Sequence, residues 1–116
     1  MPDPFPTVIA DTMPLIALAL VGHLDLLWRL YGTIAIPPAV AGELLAGGTA
    51  APGLADVQAA PWIKTIPLQY PHAADQIADL DRGEAEVLAL AQEVNATLVI
   101  IDERAARRQA RQLACD

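Results

Sequence analysis

The chain has 116 residues, of which 54% are hydrophobic, a positive mean hydropathy and a formal net charge of −7. That length holds one domain with a real core and not two, and the hydropathy excludes a disordered chain. One cysteine, Cys115, cannot close an internal disulfide, and the longest apolar stretch, Leu15 to Gly22, falls far short of the roughly 20 residues a bilayer span requires.

The predicted elements begin with an apolar strand, Thr7 to Ala10, that stops on Asp11. Pro14 then occupies a first helical turn, with Thr12 or Met13 as the expected cap. An apolar stripe continues through two helical pieces that break at His23, and Tyr31-Gly32 ends the second. Thr33 to Ile36 reads as a short strand, and Pro37-Pro38 stops it and opens a helix over about 38–46 that carries Glu43. From Gly47 to Pro61 the Gly, Ala and Pro content predicts a loop with at most a short helical turn. Trp62 to Ile66 reads as an edge strand closed by Pro67. Asp81 and Glu84, spaced as a capping box, open a strongly periodic helix. Thr97 to Ile101 is a second apolar strand that stops on an aspartate, Asp102, and a helix with Arg104, Arg107, Arg108 and Arg111 on one face follows. Alternating strands and helices with unalternated Val and Ile runs predict an α/β domain over residues 1–116, with a parallel sheet covered on both faces.

In such sheets the ligand crevice lies outside the carboxyl ends of the strands. Four acids have comparable placement there: Asp11 and Asp102 at strand ends, Glu43 in a helix after a strand, and Glu84 in a first helical turn. Carboxylates without basic neighbours repel unless a cation sits among them, and Mg²⁺ or Mn²⁺ suits such a site. A metal-bound water is a better nucleophile, and the ions stabilise the leaving oxygen of a phosphodiester, so hydrolysis of RNA or DNA uses this arrangement most directly. Taken singly, each acid reads equally as a helix cap. Glu84 shares the face of Val87 and Leu88, whereas Glu86 is turned away from it and is the weaker candidate for the third ligand. Thr12 is a cap or orients a carboxylate. The arginine face is either a solvated helix surface or a phosphate contact, and the local cluster of positive charge outweighs the acidic total for that question.

Other chemistries lack their residues. His23 and His72 have no second ligand at a zinc spacing, no Gly-rich phosphate loop is present, and the chain contains no serine. Trp28 and Trp62 read as core or interface residues. The start, Met1-Pro2-Asp3-Pro4, carries no secretory signal pattern, so a cytoplasmic, membrane-free setting is expected.

The segments VIADTMPLIALALVGHLDLL, IAIPPAVAGELL, LDRGEAEVLALAQE and TLVIIDERAARRQA together resemble the PIN-domain ribonucleases, in particular their VapC-like branch, over nearly the whole chain. The resemblance implies a three-layer PIN-like fold and a Mg²⁺- or Mn²⁺-dependent endoribonuclease, commonly the toxin of a toxin-antitoxin pair. By motif position, Asp11, Glu43, Glu84 and Asp102 match the four acids that bind metal and catalyse, with Thr12 and Glu86 beside them and the four arginines toward RNA. Two departures stand out. Met13 replaces the usual Ser or Asn, and the chain stops before the C-terminal strand and helix that the family carries. An uncovered strand edge invites association, so a homodimer is expected, with a small antitoxin as a further partner. The alternative is a catalytically impaired PIN-like module that only binds an antitoxin or a sister subunit.

Overall fold

Residues 8–46, 53–77 and 80–102 are described in a computed structural model of the chain. Four three-residue strands, β1 (Val8–Ala10), β2 (Ile34–Ile36), β3 (Ile63–Thr65) and β4 (Leu98–Ile100), form one parallel sheet in the order β3-β2-β1-β4. Ile9 pairs with Ala35 on one side, and Val8, Ile9 and Ala10 pair with Leu98, Val99 and Ile100 on the other. Every residue of β1 and β2 is buried. Central parallel strands lie between helical layers, which is why these segments read as apolar runs without alternation. In β3 only Ile63 is half-buried while Lys64 and Thr65 are exposed, as its place at the sheet edge allows.

Five helices connect the strands: α1 (Thr12–Leu20), α2 (Asp25–Tyr31), α3 (Pro38–Ala46), α4 (Leu54–Ala59) and α5 (Arg82–Val94). Their ends follow local chemistry. Gly32, at φ 75, stops α2 in a backbone region that side chains with a Cβ rarely adopt. Pro38 opens α3, where a missing N–H costs nothing. Asn95 ends α5 in the left-handed region, at φ 54 and ψ 54. Ile9, Leu15, Ile34, Val40, Val87 and Leu90 are fully buried. Each such side chain stabilises the fold by roughly 1.5–3 kcal/mol relative to exposure.

The structure differs from the sequence reading in three places. The cap of α1 is Asp11, whose carboxylate accepts the Thr12 N–H at 2.7 Å, and not Thr12 or Met13. A 3-10 helix, Pro71–Gln76, stands where no element is predicted. It is fixed from α5: the Gln69 and Tyr70 N–H groups donate to the Glu93 carboxylate at 2.6 and 2.9 Å, and Arg82 donates to the Pro71 carbonyl at 3.2 Å and to Asp75. Helix α5, finally, is enclosed on nearly all sides, with both Glu84 and Glu86 buried. Packed against α3, the sheet and the 3-10 helix, it buries Gly83 to Val87 without a break, so both acids face protein, while Arg82 and Gln92 remain exposed. Among the described residues no single helix is long and apolar enough to cross a membrane, and α1 and α2 are bent by 117°.

Candidate active site

From β1 the chain moves outward through β2 to β3, then returns across the sheet to place β4 on the other side of β1. The strand order thus reverses between β1 and β4, and the carboxyl ends of strands at such a point are where open α/β sheets bind ligands. Asp11 begins there, its N–H donating to the Ile100 carbonyl at 2.9 Å. Its side chain is buried, with 5% exposure. Asp102 stands two residues past the end of β4, at the same end of the sheet, and is half-buried.

Two helices bring further acids to Asp11. Thr12 Oγ1 donates to Glu43 Oε2 at 2.8 Å, so α1 orients a carboxylate carried by α3. Asp81 caps α5 by accepting the Glu84 N–H at 2.8 Å, which sets the first turn of α5 and the buried Glu84 within it. The electrostatic outcome is concentrated on Asp11. Burial, foremost, raises its pKa from 3.8 to about 6; the carboxylates of Asp81, Glu43 and Glu84 push the same way, and the Thr12 N–H opposes them.

Gly83 lies between these groups. A Cβ there would collide with Glu43 Oε1 and would sit 3.6 Å from Asp11 Oδ1. Without a side chain, Gly83 lets the Glu43 carboxylate lie against the first turn of α5, close to Asp11. Sequence reading passed over it, although a glycine in a first helical turn flanked by acids, where Ala is the better helix former, was a usable signal. Asp81 was read only as a cap; its charge on Asp11 depends on how α5 docks, which no local pattern reports. Glu86 is used differently from Glu84: its carboxylate accepts from the Ala39 N–H and from Arg82 Nε, both at 2.9 Å.

Comparison with known proteins agrees with this arrangement. A family model, DUF3368, described as a PIN domain, matches residues 7–116. The chain belongs to the PIN-domain family. PIN domains are in general nucleases. No curated protein and no solved structure gives a significant match.

The donor chemistry of this PIN domain suits a hard divalent cation. All four acids offer oxygen, which Mg²⁺ and Mn²⁺ prefer, and carboxylate oxygens of Glu43 and Asp11 both lie close to Gly83. Among the described residues no three His, Cys, Asp or Glu side chains are close enough to hold one ion together. Mg²⁺ does not demand such a cage, because it is commonly bound through one or two carboxylates, with waters and substrate phosphate completing the shell. Arg104, Arg107, Arg108 and Arg111 lie outside the described residues.

Proposed function

We propose that this PIN domain is a Mg²⁺- or Mn²⁺-dependent endoribonuclease that hydrolyses RNA phosphodiester bonds, acting as the toxin of a toxin-antitoxin pair. One observation carries the reading: Asp11 is buried at a strand end with Asp81, Glu43 and Glu84 all disfavouring its charge. Folding acids together in this way is costly without a cation to offset them. Of Asp11, Glu43, Glu84 and Asp102, one or two would bind the ion directly and the others through its waters, and the bound ion would supply an activated water and charge stabilisation of the departing oxygen.

The protein's own groups prepare that site. Burial and neighbouring acids make the Asp11 charge costly without a cation, Thr12 holds Glu43 by its hydroxyl, and Gly83, lacking a Cβ, lets the Glu43 carboxylate come close to Asp11. The arginines from Arg104 to Arg111 steer the phosphate backbone. A small antitoxin and a second copy of the chain complete the proposal as partners. It is supported by the exposed apolar side chains Leu20, Val21, Leu26 and Leu30 on α1, α2 and their junction.

The second reading, a metal-free binding module, is favoured by one finding, that no three acids among the described residues close on one point. Cleavage of a mixed cellular RNA pool separates the two. With Mn²⁺ the wild type is expected to cut, and both Asp11→Asn and chelator to abolish the cuts. Equal, inert behaviour of both proteins would sink the nuclease and leave the binding module.

A further inference from the structure

Glu86 lies two residues beyond Glu84 on α5, buried at 8% exposure. Its Oε1 accepts the Ala39 N–H across 47 residues of sequence, and its Oε2 accepts from Arg82 Nε. Ala39 belongs to the first turn of α3, where backbone N–H groups have no acceptor within the helix and favour a negative partner. Four residues further along α3, about one turn, stands Glu43. Just before Glu86 on α5 stand Gly83 and Glu84. The bond from Glu86 to Ala39 therefore fastens the helix that carries Glu43 to the helix that carries Glu84. Beside this bond the two helices approach closely, the Glu43 carboxylate of α3 occupying the place that a Cβ on Gly83 would take.

Arg82 gives the clamp its second property. Its guanidinium lies against Glu86 and is itself held by Asp75 and the Pro71 carbonyl. Both carboxylate oxygens of Glu86 are thus engaged by donors of the protein itself.

We propose that Glu86 is a positioning residue and not a metal ligand: its hydrogen bond to Ala39 sets the separation of α3 and α5 at which Glu43 and Glu84 act on one ion. This rests on the metal-dependent reading above. The clamp needs reach and an acceptor oxygen, and it does not need charge. Glu86→Gln keeps both, since the amide oxygen can serve the part-buried Ala39 N–H while the half-exposed Arg82 turns to Asp75 or water. Glu86→Asp keeps the charge and is one methylene too short.

Two readouts on the full chain test this: Mn²⁺ binding by electron paramagnetic resonance, and hydrogen exchange of the Ala39 amide without metal. Glu86→Gln is expected to bind Mn²⁺ within about threefold of wild type and to keep Ala39 protected. Glu86→Asp is expected to lose that protection and to weaken Mn²⁺ by about 10-fold or more, the size of effect typical of residues that orient ligands. Wild-type affinity in Glu86→Asp overturns the proposal, and so does a 10-fold loss in Glu86→Gln, which would mark Glu86 as a ligand. Should Glu86→Asp fail to fold, a 10-fold loss or an unprotected Ala39 amide in Glu86→Gln still overturns the proposal. A wild type that binds no Mn²⁺ while its Ala39 amide is protected overturns the metal-dependent function itself, not the clamp.

Discussion

Asp11 carries most of the chemistry argued at the scale of single residues. Its folded pKa of about 6 lies above the ordinary 3.8, so the folded state holds the proton more tightly than the unfolded chain does. The contribution of Asp11 to metal-free stability is therefore fully present below about pH 4 and is lost as pH rises through about 6, by on the order of 2–3 kcal/mol once Asp11 is ionised. Asparagine caps a helix as well as aspartate does. Asp11→Asn is thus expected to melt at higher temperature than wild type at pH 7.5 without metal, and to match it near pH 4. Thermal melts at both pH values check the sign, and a less stable Asp11→Asn at pH 7.5 would contradict it. Gly83→Ala should separate stability from function. Ala is the better helix former by up to ~1 kcal/mol, and the atom it meets first, Glu43 Oε1, ends a flexible side chain that can swing away. The variant is expected to keep or raise its melting temperature while losing Mn²⁺ affinity, measured by calorimetry.

At the scale of elements, α5 organises the site. Asp81 caps it, Gly83 and the buried Glu84 stand in its first turn, Glu86 just beyond accepts from the Ala39 N–H, and Glu93 near its end pins residues 69 and 70. The two ends are expected to respond differently. Asp81→Asn keeps the cap and removes a negative charge from Asp11, so the Asp11 pKa should fall below that of wild type in an NMR titration of its carboxyl carbon. An unchanged pKa would mean that Asp81 acts only as a cap. Glu93→Ala removes two hydrogen bonds far from the crevice. It should cost about 1–3 kcal/mol in denaturant unfolding and leave Mn²⁺ affinity unchanged.

For the whole molecule, an ion that binds only the folded state shifts the unfolding equilibrium by mass action. Mn²⁺ at 100 times its Kd is expected to add about 2.7 kcal/mol of stability, with the gain growing as pH rises past 6 because the ion competes with the Asp11 proton. A melting temperature indifferent to millimolar Mn²⁺ at pH 7.5 would favour the binding module over the nuclease. The formal charge of −7 makes the same point at larger scale, since loading divalent ions lessens the self-repulsion of an acidic domain.

Much of the fold is legible residue by residue because its signals are local. The runs Val8–Ala10 and Leu98–Ile100 announce parallel strands, Pro38 and Asp81 announce helix starts, and Asp11 and Asp102 announce themselves by standing where apolar runs end. Those cues involve neighbours within one turn or one strand, so the chain encodes them without reference to distant parts. The reversal of strand order at β1, the 3-10 helix held by Glu93 and Arg82, the roles of Glu84 and Glu86 and the need for Gly83 to lack a Cβ were not legible in that way. Each depends on groups tens of residues apart meeting at one point: Thr12 with Glu43 across 31 residues, Ala39 with Glu86 across 47. Helical period says which way a side chain faces, but only packing says what it meets there. On α5, Glu84 and Glu86 are both buried two residues apart, and only the packing shows that Glu86 meets the Ala39 N–H of another helix.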